Sequence, residues 1–267
     1  MMFDPLSRSP ADRARHARIV VLCETTDFVA VDKPAGLVCH PTKTDEWSSL
    51  ISRMRLYAAG EWEPRLIHRL DRETSGVVLI AKSSAAAGTL GKLLESGGVR
   101  KHYVAWVHGH PGVDSGEIDA ALGRDEASPV AIKDCVRPDG QSAKTRFQVV
   151  RRMERHGQPF SCLQLQPETG RKHQLRIHLA HLGHPIVGDK IYGGDAQIYL
   201  RLVEGRMTDA DSRRMIATHQ MLHARQLAFE CAGAACRIVA EQPVEWANLG
   251  FPTWDVSSSQ LRSSGRQ

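Results

Sequence analysis

The sequence predicts an α+β fold, a mixed, largely antiparallel sheet with flanking helices. Three observations carry that reading. Short runs rich in β-branched and aromatic residues outnumber the helical stretches. They do not follow a regular βαβ alternation. Amphipathic stretches of helical period fall between them. With 267 residues, 42% of them hydrophobic, the chain can bury a core of ordinary size, and no internal repeat divides it.

The elements follow in order. "IVVLCE" from Ile19 and "DFVAVDKP" from Asp27 are apolar runs separated by a polar pair, the pattern of an antiparallel ribbon, and Pro34-Ala35-Gly36 turns the chain before "LVCH". "WSSLISRMRLYAAG" predicts an amphipathic helix that ends at Gly60, with Leu50, Met54 and Tyr57 on one stripe. "VVLIAK" from Val77 is a buried strand, after which Ser83 or Ser84 caps a helix "AAAGTLGKLLES" that stops at Gly97-Gly98. "HYVAWVHG" from His102, "TRFQVV" from Thr145 and "SCLQLQ" from Ser161 alternate in the manner of strands.

"ETGRKHQLRIHLAHLGHP" reads as a helix opened by Gly170 and stopped at Gly183, with Leu175, Leu179 and Leu182 buried and with Lys172 and Arg176 sharing another face. A helix from about Asp209, with Thr208 and Asp211 at capping-box spacing, leads to the strand "LHARQLAFEC". The expected organisation is an N-terminal extension (1–18), one domain (19–255) and a polar, low-complexity, disordered tail (256–267).

Composition excludes several classes. No stretch of about 18 apolar residues spans a bilayer, and acids and prolines occupy the N-terminus where a signal peptide needs an apolar centre, so the chain is expected in the cytoplasm with no membrane contact. The six cysteines show no CxxC spacing, which indicates neither a disulfide framework nor a zinc ribbon. A net charge of +5 is unevenly spread: between Arg137 and Arg176 nine Lys/Arg face three acids, a net of +6. Such a run is either a solvated basic surface or a groove for a phosphate backbone.

The densest chemistry lies in "RLIHRLDRETSGVVLIAKS", where His68, Arg69, Asp71, Arg72 and Glu73 fall just ahead of an apolar run. Asp71 stands at the mouth of a buried strand, and the small residues Thr74, Ser75 and Gly76 let another backbone or a ligand come close. Two uses are open to it. One is a loop carboxylate paired with adjacent arginines; the other is a carboxylate kept ionised by those arginines and available as nucleophile or base. His173, His178, His181 and His184 raise the rival of a metal site, but the helix they sit on carries no acid after Glu168 and lacks the HExxH pattern. There is no GxGxxG, GxxxxGK[ST] or GxSxG, which removes the usual nucleotide and serine-hydrolase readings.

"HRLDRETSGVVLIAKS" resembles the signature of the large-subunit-type (RluA-type) pseudouridine synthases. "VDKPAGLVCHP", "RKHYVAWVHG", "AKTRFQVV" and "ETGRKHQLRIHLAHLGHPIVGDKIYGG" resemble that family's other blocks in the same order, over about residues 19–230. The resemblance implies the pseudouridine synthase catalytic fold with a cleft across the sheet. It implies isomerisation of uridine in RNA, in which the bond from base nitrogen to ribose breaks and the ring rejoins through carbon, with no cofactor and no metal. By similarity Asp71 is the essential carboxylate, Tyr103 stacks on the target base and accepts a proton late in the reaction, Arg176 pairs with Asp71, and Arg69 lies near the flipped base. The basic run then gains a use: Lys144, Arg146, Arg171 and Lys172 are expected on the RNA backbone, with His68 and Lys33 as further RNA contacts, although Lys33 has a structural alternative.

About 18 residues precede the first strand, too few for the small N-terminal RNA-binding domain that many relatives carry, so recognition is expected to rest on the catalytic domain. The expected partner is RNA, ribosomal or transfer, with no obligate protein partner and a monomeric state. Two alternatives differ in class: a protein of the same fold that binds RNA without catalysis, and a metal-dependent hydrolase built on the His173–His184 cluster.

Overall fold

In the computed structural model, residue 14 and residues 18–41, 47–231 and 233–253 are described. Most of the expected N-terminal extension and the expected disordered tail therefore lie outside the described residues. The strands are β1 (Val20–Glu24), β2 (Phe28–Lys33), β3 (Arg65–Leu66), β4 (Ser75–Ala81), β5 (Arg100–His108) and β6 (Ser115–Asp119). They continue with β7 (Leu122–Arg124), β8 (Asp134–Val136), β9 (Lys144–Arg155), β10 (Gln158–Pro167), β11 (Leu222–Cys231) and β12 (Ala234–Val239). The helices are α1 (Leu50–Ala58), α2 (Ser84–Glu95), α3 (Gln174–His181), α4 (Ala196–Val203), α5 (Asp209–Met215) and α6 (Val244–Asn248).

A 10-stranded sheet runs in the order β1-β2-β4-β11-β5-β10-β9-β6, with β12 on β11 and β3 on β4. Every pairing is antiparallel except β4 with β11, where His223 and Ala224 lie opposite Ser75 and Gly76. That short parallel contact joins the two halves of the sheet. It is possible because position 76 is glycine: its φ is +112°, and a Cβ there would stand 2.3 Å from the carbonyl oxygen of Ala224.

Successive residues of β2 and β4 point to opposite faces, and both faces are covered. Val29, Val31, Val78 and Ile80 pack under Leu50, Met54 and Tyr57 of α1, whereas Phe28, Ala30, Val77 and Leu79 pack on Leu90 of α2 and on Phe229 and Ile238. Seven consecutive residues of β4 are buried for this reason. The same double cover buries Val104–Val107 of β5, so the expected alternation there is absent from its burial. Trp106, Phe160 and Phe251 centre the other half of the core, beside Leu175 and Leu179 of α3.

Helix boundaries follow their caps. The Ser49 and Ser83 side chains accept from the N–H groups of Ser52 and Ala86, and Thr208 with Asp211 closes the expected capping box. One expectation is corrected. The helix carrying Arg176 begins at Gln174, so Lys172 precedes it and does not share a face with Arg176. Lys172 is exposed and ion-paired with Asp134 at 2.9 Å; Arg176 is buried.

Candidate active site

The loop from β3 into β4 carries Asp71 to the rim of a cleft of about 580 Å³. Tyr103 of β5, His173 and Arg176 at the start of α3, and the segment 167–171 also line that cleft. The loop is held from below. Lys33, 0% exposed, donates from Nζ to the carbonyls of Pro34, Leu37 and Arg72 at 2.9, 2.8 and 3.2 Å. Its ammonium is spent inside the fold and out of reach of a phosphate, and burial lowers its pKa to about 8.

Asp71, whose side chain is 25% exposed, accepts a hydrogen bond from Arg176 Nη1 at 3.0 Å. Its chain neighbours do not pair with it: Arg72 donates from Nε to the Gly36 carbonyl, and Arg69 has no hydrogen bond or ion pair among the described residues. The adjacency of arginines in the sequence therefore misstates the partner, which comes from 105 positions away. Arg176 is fixed in turn by Asp189, which receives its Nε and Nη2 at 2.7 and 2.9 Å. Asp189 also accepts the backbone N–H groups of Ile191 and Tyr192. Burial alone would lower the Arg176 pKa, but the two carboxylates outweigh it and raise its pKa. Asp189, fully buried, is pulled below the usual carboxylate range by Arg176 and those N–H groups, against the opposing effect of desolvation.

His173 adopts a left-handed backbone conformation (φ 54°) and has no side-chain cap bond. Its ring bridges two groups: Nδ1 lies 2.9 Å from the Tyr192 hydroxyl, and Nε2 lies 3.9 Å from Asp71 Oδ2. Burial lowers its pKa to about 4, so the ring is neutral at physiological pH. The Tyr192 oxygen accepts the Asp134 N–H at 3.2 Å and shares its other hydrogen bond with His173 Nδ1, so that His173 stands between Tyr192 and Asp71. Tyr192 also lies under the Arg176 guanidinium, 5.0 Å from ring centroid to Cζ. Tyr103 stands across the cleft with no hydrogen-bond partner for its hydroxyl among the described residues, and burial, then the Asp71 charge, raises its pKa.

The remaining expected residues divide. Arg69, His68 and Arg171 line the cleft. His68 Nε2 accepts from the Leu79 N–H at 3.2 Å, and burial lowers its pKa to about 4. Lys144 and Arg146 lie outside that lining and are paired, Lys144 with Glu117 and Asp119, Arg146 with Glu117 and Glu168. The +6 window is thus offset by Glu117 and Asp119 of β6, which a count along the window leaves out. The cluster of four histidines is dispersed: His178 bonds Thr145 and Ala120, and His184 bonds the His108 carbonyl. Among the described residues no group of three or more His, Cys, Asp or Glu is placed to hold a metal ion.

Three site residues escaped the sequence reading of individual positions. Lys101 lines the cleft with no hydrogen bond or ion pair among the described residues, and burial lowers its pKa. Its signal was the strand period, which puts Lys101 and Tyr103 on one face of β5. Asp189 and Tyr192, in "VGDKIYGG", carry no local signal of a role, because it is the fold that packs this turn against Arg176 of α3.

A family model described as RNA pseudouridylate synthase matches residues 27–181. A ribosomal large subunit pseudouridine synthase D from Xanthomonas campestris is 35% identical, over 86% of this chain and 67% of its own. An uncharacterized RNA pseudouridine synthase from Chloroflexus aurantiacus is 40% identical over 61% of this chain and 51% of its own. Matches to several such relatives span 51–61% of their lengths. Among solved structures, human RNA pseudouridylate synthase domain containing 1 superposes with a TM-score of 0.71 at 27% identity, over 91% of this chain and 92% of that one. Ordered sequence blocks, a family match across more than half the chain and a shared sheet architecture converge, and the chain belongs to the RNA pseudouridylate synthase family.

Proposed function

We propose that this chain is an RNA pseudouridine synthase that isomerises uridine in structured RNA, with Asp71 as the essential carboxylate and the target nucleotide flipped into the cleft. The observation that carries the reading is the charge chain Asp71–Arg176–Asp189, which holds one partly exposed carboxylate at the rim of a cleft that Tyr103 also lines.

The chemistry suits those groups. Breaking a glycosidic bond and rejoining the base through carbon makes an oxocarbenium-like sugar or a base adduct along the way, and a fixed carboxylate stabilises either. Three routes are open to Asp71: attack on the base, addition to the ribose carbon, or removal of a ribose proton. Arg176 holds Asp71 in one orientation through all of them. Tyr103 offers a face for the base and a hydroxyl whose raised pKa keeps it protonated, so it accepts a proton only as it hands its own on. Neutral His173 adds no charge beside Asp71, 3.9 Å from its Oδ2.

Extruding a nucleotide from its stack costs a few kcal/mol. Cations that hold the flanking phosphates offset that cost. Arg69 and Lys101, unpaired among the described residues, and Arg171, on the same lining, are placed for this. Ribosomal and transfer RNA are the substrate classes to examine. A binding protein that had lost catalysis would have no need of the full Asp71, Tyr103, Arg69 and Arg176 set. The test is pseudouridine mapping of total RNA from a deletion strain complemented with wild type or Asp71→Ala. A uridine whose modification disappears on deletion and returns only with wild type is the expected result; no Asp71-dependent site overturns the reading.

A further inference from the structure

A second cavity, of about 950 Å³, opens on the other side of the Asp71–Arg176 bridge, and Arg69, Asp71, His173 and Arg176 line both spaces. We propose that this second cavity is a nucleobase subsite, which receives an unstacked base of a nucleotide adjacent to the target uridine in the same strand. The proposal rests on the RNA reading of the first cleft and adds to it where the neighbouring nucleotide goes.

The walls and floor fit a base, which is flat and apolar on its faces and polar at its edge. Tyr199 and Met207 line the cavity, as do Ile132 and Leu202, which the fold leaves 42% and 38% exposed. An aromatic ring among aliphatic side chains is a stacking surface for any base. At the floor Gln220, 2% exposed, uses Nε2 on Thr74 Oγ1 at 2.6 Å, and its Oε1 is buried without a hydrogen-bond partner. His219 beside it turns its Nδ1 toward Glu73, 3.9 Å from Oε1, so that Gln220 Oε1 is the unpaired polar atom of this floor among the described residues. A buried amide oxygen left unsatisfied is costly, and a base-edge N–H satisfies it.

Charge and connectivity select RNA over a peptide or a second copy of this chain. Arg69 and Arg72 stand on the lining with no acidic partner among the described residues, in position for the phosphate that links the two nucleotides. The floor is also tied to the catalytic loop: Lys190, next to Asp189, holds Glu73, two residues beyond Asp71, at 2.8 Å from both carboxylate oxygens. A base seated here bears on the loop that aims Asp71.

The test uses the purified full chain, as wild type, Leu202→Glu and Gln220→Met, with unmodified total RNA from a strain lacking the protein. For wild-type target sites, each variant is expected to raise KM about tenfold, the factor for one lost hydrogen bond or stacking contact, with kcat changed less than about twofold. Leu202→Glu alters an exposed helix side and controls for misfolding at Gln220. Wild-type KM in both variants overturns the subsite. Photo-crosslinking of the same RNA carrying 4-thiouridine reads occupancy without turnover. Adducts on Tyr199 or Met207 are expected, and adducts confined to first-cleft residues such as Tyr103 overturn the proposal. If wild type forms no pseudouridine, the crosslinks still decide the subsite, so the two failures are distinguishable. A dimer that Leu202→Glu dissolves would assign the surface to a second copy and likewise overturn it.

Discussion

Arg176 is buried between two carboxylates of unequal exposure, and the inequality decides what each substitution does. Asp189 is fully buried and holds Arg176 through two hydrogen bonds; Asp71 takes one bond and faces the cleft. Removing Asp189 leaves a buried guanidinium half compensated, which costs about 3–5 kcal/mol. Asp189→Asn is therefore expected to lower the unfolding free energy by about that amount, measured by urea titration, and to reduce kcat, because Arg176 loses the anchor that aims it at Asp71. Asp71→Asn leaves Arg176 paired with Asp189, so a folded protein is expected. The two positions carry the same residue type and opposite balances of stability and chemistry.

At the scale of elements, the junction of β4 with β11 places the loop that carries Asp71. Gly76→Ala would set a Cβ against the Ala224 backbone at a φ of +112°, and neither strand can withdraw without parting the sheet. The substitution is expected to cost about 3 kcal/mol or more, read as a loss of soluble folded protein or a drop in melting temperature. The sequence announced that glycine, together with the caps at Ser83 and Thr208 and the strand from Leu222 to Cys231, because turn chemistry and apolar runs are local signals. It misplaced Lys172 because a segment opened by glycine can stay non-helical until His173, whose left-handed conformation starts the helix late. The partners of Asp71 in the sequence were its neighbours; in the fold its partner comes from α3, and only the family resemblance pointed there. The second cavity had no local signal at all, since it forms where the loops after β2 and β3 meet α4, α5 and the turn before β11.

At the scale of the whole molecule, charge is arranged by the fold and not by the order of residues. Lys144 and Arg146 meet Glu117, Asp119 and Glu168, whereas Lys101 and Arg69 remain unpaired along the cleft among the described residues. Lys101→Glu is accordingly expected to weaken RNA binding and to reduce the slope of log affinity against log salt by about one, while Lys144→Glu changes that slope less. Equal effects from both would place the RNA on the β9 surface as well.

Burial of neutral histidines gives the molecule an acid-side weakness. His68, His173 and His223 are each lowered by burial from 6.5 to about 4. Between those values the unfolded chain binds more protons than the folded one, so stability is lost as pH falls through that window and is fully present above about 6.5. Asp32, raised by burial from 3.8 to about 6, acts in the opposite sense over most of the same range, and the three histidines outnumber it. The melting temperature is expected to be lower at pH 4.5 than at pH 7, about neutral pH being the plateau.

The most direct test of the central claim separates binding from chemistry at Asp71. Purified wild type and Asp71→Asn are given unmodified RNA from a deletion strain, and RNA affinity and pseudouridine content are read on the same samples. The expected result is an Asp71→Asn protein that binds RNA within a few-fold of wild type and forms no pseudouridine. Pseudouridine formation by Asp71→Asn would contradict the assignment of the carboxylate to the reaction.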